Sequence, residues 1–549
     1  MNQMRQTIPV VLYLKKYWQD IILILLLSVF TSMISAVTPF INRFMLDHGL
    51  FLLDIRNTVI GAVLLLFFAA LGAVIEYMGS KAEYAMCRKI GIDLKKDAFS
   101  HAMKLKASYY KEQGVFQVVR NATYDIECVL NIIEGYLLKV FLYIMTAVGT
   151  VIGLFILDWK LSLFILLLLP LRIAVNMQFG KIEQACAKEC QRQEQHFNSW
   201  FHDFVNGMID IKMWGLESRK VNEYEDILKD TTKAQQEALL ISSKSSLSFS
   251  IITSLSTNLL YIIGITQIIH SQLTLGELIS FIGFSSYFFS PVTIILDTVR
   301  MMKRILPNLD SLKEFYAMEE ESSEHTLPLT EPIDTISFRD VSISLKQRMI
   351  LQKVSFDLYR GDKVLILGEN GSGKSTLLNL LLRIYDPNEG KIFINGVPID
   401  DFDIGSYRSH FSVVSQDIYL FSGSIEDNID LDSRNGKRHL VNFCDKSIQQ
   451  LKDGYQTKVG SNGSMISGGE RQKVALLRAL NRKSDILVLD EPTSNYDAVS
   501  EEQFNQFIAQ NTDYGFYIII AHHKKLVEHV DVIIQVRDQQ VEIFRNRRG

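Results

Sequence analysis

The sequence lacks the cysteine pattern that a disulfide framework or a bound metal would need. Its 549 residues include five cysteines, and only Cys186 and Cys190 lie one helical turn apart, without other cysteine or histidine partners nearby. This spacing disfavours a metal site and suits a reducing compartment. The formal net charge is −4, so no excess of basic residues indicates binding to nucleic acid. Disulfide-stapled domains and nucleic-acid-binding proteins are therefore disfavoured.

Long apolar runs are absent from the last part of the chain but recur before residue 300. A membrane-spanning helix needs about 20 predominantly apolar residues. The first run, which opens at Ile21, is too long for a signal peptide, and no small-residue cleavage site follows it. We therefore predict an all-α, polytopic membrane domain. Its six predicted transmembrane helices lie near 21–43, 57–79, 133–157, 161–180, 247–270 and 276–299.

The distribution of basic residues indicates how these spans are oriented. Lysines and arginines are frequent in 80–132, 181–246 and 300–313, whereas the turns at 157–160 and 270–275 contain only Lys160. Cytoplasmic loops carry such an excess of positive charge, so the long stretches and both chain ends are predicted to be cytoplasmic. Several charged residues near span ends are expected to be interfacial rather than ligand-binding: Glu76, Glu134, Lys139, Arg172 and Asp297.

The two long cytoplasmic stretches keep a helical periodicity, so we expect them to extend the spanning helices well beyond the bilayer. Each is interrupted once, at 109–114 and at 205–212, by a segment that contains a glycine. These segments either contact another domain or are ordinary solvated loops. Residues 318–335 are acidic and contain two prolines, which is typical of a linker.

A glycine-rich loop lies between a predicted buried strand, Lys363–Gly368, and a predicted helix, Leu377–Arg383. Its glycines allow backbone N–H groups to surround a triphosphate, and the helix N-terminus adds a partial positive charge. Lys374 is predicted to reach the β- and γ-phosphates, and Ser375 to ligate Mg²⁺. The nucleotide-binding residues predicted in this loop are Gly368, Glu369, Asn370, Gly371, Ser372, Gly373, Lys374, Ser375 and Thr376.

Two further predicted strands end in residues that suit phosphate chemistry. One runs from Asp485 through an apolar stretch to Asp490 and Glu491. Asp490 is predicted to ligate Mg²⁺, and Glu491 to bind the water that attacks the γ-phosphate. The other strand begins at Tyr517 and ends at His522, for which we favour a γ-phosphate contact over a purely structural role.

A second glycine pair suggests that the active unit is a dimer. Ser467, Gly468, Gly469 and Glu470 precede a predicted helix, Lys473–Leu480, and glycines at a helix N-terminus make an anion site. A domain with its own phosphate loop does not need a second one. The second site is therefore predicted to bind the triphosphate of a partner domain.

Taken in this order, these motifs resemble those of the ABC transporter ATPases, and the whole chain resembles an ABC exporter half-transporter. The resemblance implies ATP and Mg²⁺ as ligands, Glu491 as the catalytic base and His522 as a γ-phosphate ligand. It also implies that Gln416 senses Mg²⁺ and the membrane domain. The predicted architecture is a membrane domain at 1–317, a linker at 318–335 and an α/β P-loop nucleotide-binding domain at 336–549.

The sequence departs from the family pattern at positions that leave the catalytic groups intact. Leu345 replaces the usual aromatic residue and cannot stack on adenine. Glu470 replaces the commoner glutamine, Tyr496 a small aliphatic residue, and Lys458 a frequent glutamate.

The resemblance favours ATP-driven export of an amphipathic peptide, drug or lipid by alternating access of a dimer. The expected location is the bacterial plasma membrane, with the ATPase domain in the cytoplasm. An ATP-gated channel or regulator is the alternative, although the intact Glu491 favours a pump. A soluble ATPase that acts on ribosomes or DNA is opposed by the six spans. Because the set of catalytic groups is complete, a homodimer is favoured over the competent half of an unequal pair.

Overall fold

The computed structural model of the protein describes residues 15–113, 115–321, 327–431, 441–482, 484–521 and 524–546. The chain divides into two compact units. The first comprises Met1–Met103 and Phe116–Met318, and the second comprises Lys104–Val115 and Glu319–Gly549. The short segment Lys104–Val115 therefore belongs with the C-terminal part of the chain and not with its sequence neighbours.

Helices dominate the first unit, and each predicted span lies on one of the long ones. The helices before the first strand are α1 (Trp18–Phe44), α2 (Ile55–Ala102), α3 (Ala107–Gln113), α4 (Val115–Ile132), α5 (Leu138–Leu157), α6 (Trp159–Asn206), α7 (Met208–Met213), α8 (Glu217–Ile269) and α9 (Leu275–Ala317). A π-helical turn, Met45–Leu50, extends α1, and another, Ile133–Leu137, joins α4 to α5.

In the part of the chain that the structure describes, five helical segments are long and apolar enough to cross a membrane. The sixth predicted span lies on α9, whose apolar segment is Leu275–Phe289. The predicted extension of the spans is confirmed, because α2 and α6 each contain 48 residues and α8 contains 53. At about 1.5 Å per residue such helices reach roughly 70 Å, more than twice the hydrocarbon thickness of a bilayer.

The helices of the first unit pack around an apolar cluster that includes Leu154, Ile165, Leu260, Phe281 and Phe284. A Cβ atom at Gly153 would lie 2.6 Å from the ring of Phe284. The missing side chain therefore lets α5 and α9 approach closely, which is the usual role of small residues between membrane helices.

The second unit contains two sheets. Its strands are β1 (Thr335–Leu345), β2 (Arg348–Tyr359), β3 (Lys363–Gly368), β4 (Glu389–Ile394), β5 (Val397–Pro398), β6 (Phe411–Val414), β7 (Ile486–Asp490), β8 (Phe516–Ile520), β9 (Val532–Arg537) and β10 (Gln540–Arg545). One sheet is antiparallel, in the order β2-β1-β4-β5, and the other has the order β10-β9-β3-β8-β7-β6. The larger sheet is parallel from β9 to β6.

The parallel strands of the larger sheet place the predicted motifs at one edge. The predicted strands before the glycine-rich loop, before Glu491 and before His522 are confirmed as β3, β7 and β8. Because parallel strands present their carboxyl ends at the same edge, the loops that follow β3, β6, β7 and β8 converge there. Besides α3, the described part of this unit contains the α-helices α10 (Lys374–Leu381), α11 (Ile404–Ser409), α12 (Ile425–Ile429), α13 (Asn442–Gln449), α14 (Gly468–Asn481) and α15 (Ala498–Gln510).

Short helices occupy both interruptions of the long helical stretches, α3 at the first and α7 at the second. The first interruption packs within the second unit. Lys106 Nζ lies 2.9 Å from Asp386 Oδ2, and Lys111 Nζ donates to Asn379 Oδ1 on α10 at 3.1 Å. The expectation that this segment contacts the nucleotide-binding fold is therefore confirmed. For α7, the corresponding expectation stays a prediction.

Candidate functional site: a nucleotide site at the strand ends

The glycine-rich loop between β3 and α10 has the conformation of a phosphate cradle. Gly373 precedes α10 with a φ of 110°, in the left-handed region that glycine adopts without strain. A Cβ atom there would also lie 3.1 Å from Ile350 Cγ2. The loop therefore turns into the helix at a point where only glycine fits well, and the first N–H groups of α10 stay available to an anion.

Two side chains of this loop, Lys374 and Ser372, carry polar groups that could bind phosphate. Lys374 is 7% exposed and donates from Nζ to the carbonyl oxygens of Gly368 and Glu369, at 2.8 and 2.9 Å. Ser372 Oγ is buried and has no hydrogen-bond partner among the described residues. A buried hydroxyl without a partner costs about 1–3 kcal/mol. A phosphate oxygen would satisfy it, so the loop fits a nucleoside triphosphate.

Asp490 and Glu491 lie at the end of β7, at the same sheet edge. Asp490 is 8% exposed, and its Oδ1 is buried without a partner among the described residues. Burial, assisted by the charge of Glu491, raises the pKa of Asp490 to about 6. Glu491 has a φ of 51°, which is strained for a residue with a side chain. Its side chain accepts a hydrogen bond from Gln416 Nε2 at 3.1 Å.

The donor set at this edge fits Mg²⁺ bound together with a nucleotide. Among the described residues, no group of three or more His, Cys, Asp or Glu side chains could hold a metal alone. Mg²⁺ typically takes one or two protein oxygen ligands and completes its shell with phosphate oxygens and water. The unpaired Oδ1 of Asp490 suits such a site, with the Ser375 hydroxyl at the start of α10 as a second donor. The resemblance also implies a Mg²⁺ contact and a catalytic role for Gln416, which donates to Glu491 in this structure.

Replacing Asp490 by asparagine is expected to stabilise the nucleotide-free protein by about 2–3 kcal/mol at pH 7. The pKa of the folded carboxyl is about 6, against an ordinary value of 3.8. The folded state therefore binds more protons than the unfolded state between these values, and stability falls as the pH rises from about 4 to about 6. Above pH 6 the full cost of the buried charge remains. Thermal unfolding of Asp490→Asn at pH 7.5 and at pH 5 measures this gain, which should be larger at pH 7.5.

Asp485 supplies the matched control, since it precedes β7 at the strand's other end. It lies 2.6 Å from His410 Nδ1 and 3.5 Å from Arg360 and accepts from the backbone N–H of Ile333 at 3.3 Å. Asp485→Asn is therefore expected to destabilise the protein. If both substitutions destabilised the protein, the Asp490 carboxylate would not lower the stability of the folded state, and the prediction would be wrong.

The second glycine pair forms the start of α14, five residues earlier than the sequence predicted. Ser467 Oγ accepts from the N–H of Glu470 at 3.3 Å, and Glu470 Oε2 accepts from the N–H of Ser467 at 2.7 Å. This reciprocal pair is a capping box. A glutamate in place of the commoner glutamine therefore caps the helix equally well. The backbone N–H groups of Gly468 and Gly469 stand at the positive end of α14.

The start of α14 is linked to the segment that follows Glu491. Gln472 donates to Ser494 Oγ at 2.7 Å and accepts from the N–H of Asn495 at 3.1 Å. An open cavity of about 450 Å³ lies beside this contact. Its lining includes Ser467, Gly468, Gly469, Glu470, Lys473, Asn495 and Tyr496. The cavity is therefore lined by polar residues and lies at the N-terminus of α14. A second phosphate site, as predicted, would need both features.

Two departures from the family pattern have a structural explanation. Tyr496 packs between Phe443 and Phe504, with ring centroids 6.2 and 6.3 Å apart, so its ring anchors the loop after Glu491. Leu345 ends β1 opposite Arg348 and is packed partly against the core. His522, which was predicted to contact the γ-phosphate, lies outside the described residues.

Several contacts of this site are not evident from sequence. Gln472 and Asn379 are single polar residues on helices, and nothing in their local pattern distinguishes them from surface positions. Only the register between α14 and the loop after β7 brings Gln472 to Asn495. The capping-box pattern of Ser467 with Glu470 is the signal in the sequence that would have placed the start of α14 correctly.

Models of two protein families match the chain. The transmembrane region of ABC transporters matches residues 21–292, and the ABC transporter ATPase family matches residues 351–494. Together they cover most of the chain. A soluble ATPase is therefore excluded as an interpretation of the sequence.

Curated relatives match nearly the full length. An ATP-dependent lipid A-core flippase from Albidiferax ferrireducens is 26% identical over 537 residues, which is 96% of this chain and 92% of the relative. A protein of the same description from Legionella pneumophila (strain Lens) is 26% identical over 547 residues, 96% of this chain and 91% of the relative.

A solved structure has the same fold. The structure of a bacterial Atm1-family ABC exporter with ATP bound superposes with a TM-score of 0.81 at 22% identity and covers 96% of this chain and 95% of that one. The helical membrane region, the two-sheet ATPase fold and the strand-end site thus occur together in one chain. The protein belongs to the ABC transporter family and is an exporter-type half-transporter, an integral multi-pass membrane protein that couples ATP hydrolysis to transport.

Proposed function

We propose that two copies of this chain form a homodimeric exporter that moves a lipid-like, amphipathic molecule across the bacterial plasma membrane. The observation that carries the proposal is the full-length similarity to proteins described as lipid A-core flippases, at 96% coverage of this chain. The apolar helices of the first unit supply the membrane path, and the second unit supplies the ATPase. The Atm1-family structure supports the fold.

The ATPase roles follow from the strand-end geometry. Lys374 would exchange its two loop carbonyl partners for phosphate oxygens, because a charged acceptor makes the stronger hydrogen bond. Ser375 and Asp490 would hold Mg²⁺, which when bound neutralises negative charge on the β- and γ-phosphates. Glu491 would orient the attacking water and accept its proton. Gln416, which donates a hydrogen bond to Glu491, would hold that side chain in place, and His522 would contact the γ-phosphate.

Both halves of a composite site are present in each chain. The phosphate loop follows β3, whereas the start of α14 is held by Gln472 against the loop after β7. In a two-fold dimer each phosphate loop would face the start of α14 in the partner. Gly468 and Gly469 would then direct backbone N–H groups at the partner's γ-phosphate. Two identical, complete sites result, which is why a homodimer is proposed.

Helix α3 is the proposed connection between nucleotide and membrane helices. Lys106, just before α3, contacts Asp386, and Lys111, on α3, contacts Asn379. Asn379 lies on the helix that follows the phosphate loop. Since α3 is continuous in sequence with α2 and α4, a displacement of α10 would be carried into both. The linker would contribute to this connection, because Glu321 accepts hydrogen bonds from both terminal nitrogens of Arg408, each at 2.9 Å.

ATPase activity of the purified protein in lipid nanodiscs tests the substrate class. We expect anionic, multi-chain lipids to raise the rate above the basal value, while soluble peptides and hydrophobic drugs of similar size do not. Lipids are favoured because the named relatives are flippases. If peptides alone stimulated the ATPase, the proposed substrate would be a peptide and not a lipid. If drugs alone did so, it would be a drug.

A further inference from the structure

A buried arginine lies among the membrane helices, at a position that the sequence led us to treat as interfacial. Arg172 is on α6 and only 7% exposed. Its guanidinium Cζ lies 4.1 Å from the ring centroid of Phe289 on α9, and NH2 donates to Thr253 Oγ1 on α8. The interfacial assignment is therefore wrong, because the side chain is enclosed by three helices and does not face the lipid headgroups.

Two hydrogen-bond donors at this position have no acceptor. Arg172 Nε is buried without a partner among the described residues, and so is Nδ2 of Asn176, which is 3% exposed. The two residues are four positions apart on α6, so their side chains lie on the same helix face. Among the described residues, the side-chain hydrogen-bond partner of the guanidinium is the neutral hydroxyl of Thr253. The pair therefore presents a positive charge and two free N–H donors in an enclosed space.

Such an arrangement is costly unless an acceptor completes it. An unpaired buried donor costs about 1–3 kcal/mol, and an unpaired charge costs more. Charged residues inside membrane domains generally mark substrate or ion pathways. The planar fork of a guanidinium matches phosphate and carboxylate oxygens, and an adjacent amide N–H adds a second contact. The missing partner is thus an anion with several acceptor oxygens.

We propose that Arg172 and Asn176 bind the anionic headgroup of the transported amphiphile, with phosphate as the group that best fits the two donors. The assignment rests on the proposed lipid transport and adds to it the subsite that binds the headgroup. Arg172 lies eight residues before the end of the predicted span at 180, about 12 Å inside its cytoplasmic end. Leu167 and Leu171 on the same helix are 72% and 53% exposed, so acyl chains can lie along α6 outside the bundle. The headgroup enters when α6 and α8 separate from α9.

Equilibrium binding to the full-length protein in phosphatidylcholine nanodiscs tests this subsite. Hexadecyl phosphate is the anionic probe, hexadecyl phosphocholine the zwitterionic one, and inorganic phosphate the free anion. We expect Arg172→Gln to weaken binding of hexadecyl phosphate by about tenfold or more, because a hydrogen-bonded charge is lost. Asn176→Leu should weaken it less. The zwitterion, whose phosphodiester has one negative charge beside a quaternary ammonium, should bind more weakly and lose less affinity in Arg172→Gln. Inorganic phosphate should bind far more weakly than the alkyl phosphate.

Lys181→Gln is the matched control, since it removes an exposed positive charge from the same helix and should leave binding unchanged. Arg172→Lys keeps the charge but loses the fork, and should bind with intermediate affinity, which separates a missing contact from a misfolded protein. Unchanged affinity in Arg172→Gln overturns the subsite while the lipid exporter stands. No binding of any amphiphile by the unaltered protein overturns both. Binding of inorganic phosphate as tight as that of hexadecyl phosphate overturns the lipid headgroup in favour of the free anion.

Discussion

Glu491→Gln is expected to lower the ATPase rate by at least about a hundredfold while ATP still binds. General-base catalysis contributes about 10²–10⁴-fold, and the amide keeps the size and polarity of the side chain but cannot accept the proton. Glu491 stands at the end of β7 beside Asp490, in a strained backbone conformation that the surrounding sheet maintains. Steady-state hydrolysis and nucleotide affinity, measured on the same preparation, give the two quantities.

The control is the same substitution at another glutamate of the site, Glu470→Gln. Glutamine retains the capping box with Ser467, so near-normal hydrolysis is expected. If Glu491→Gln hydrolysed ATP at the rate of Glu470→Gln, Glu491 would not be the base. Equal loss in both variants would instead show that the start of α14 depends on the charge of Glu470.

Two variant chains that retain no ATP as homodimers are expected to retain about one ATP molecule per dimer when they form a heterodimer. Each chain carries a defect in a different half of the composite site. The background is Glu491→Gln, which is expected to retain about two ATP molecules in a closed, two-fold dimer. Lys374→Ala removes the phosphate contact of one half-site. Gly469→Asp places a carboxylate at the other half-site, where even a Cβ atom would lie 3.0 Å from Asn495 O. Homodimers of either double variant should retain no ATP.

A tandem-purified heterodimer of the two double variants regains one intact site, formed by the normal phosphate loop of one chain and the normal α14 start of the other. Counting bound ATP after gel filtration gives the result. A heterodimer as empty as both parents would refute the shared site. If the unaltered chain, expressed alone, were a monomer without ATPase activity, and a second related chain restored that activity, the homodimer would be wrong.

The sequence predicted those parts of the fold that depend on local pattern. Lys363–Gly368 was predicted as the strand before the phosphate loop and is β3, because a buried apolar run next to a glycine-rich turn has few alternatives. The apolar spans and their helical extensions were predicted for the same reason, since the periodicity continues past each span. Asp490 and Glu491 were placed correctly at a strand end.

Long-range contacts were outside the reach of local pattern. Lys111 and Asn379 are 268 positions apart, and no residue between them indicates that they meet. Arg172 was misjudged because its distance from a span end was the only information in the sequence. Whether a charged residue points to the interface or to a neighbouring helix depends on the rotation of α6 about its axis, which packing against α8 and α9 decides. The roles assigned to the site residues, including those of Gln416 and His522, stay predictions.

ATP-driven translocation of a phosphate-bearing lipid by the reconstituted chain tests the central claim most directly. Proteoliposomes that contain only this protein are loaded with a fluorescent analogue of an anionic lipid, and its transfer between leaflets is followed by quenching from one side. We predict continuous transfer with ATP for the unaltered chain and at most a single turnover for Glu491→Gln. Continuous transfer by Glu491→Gln with ATP bound would contradict the pump, because nucleotide binding alone would then open the path, as in an ATP-gated channel.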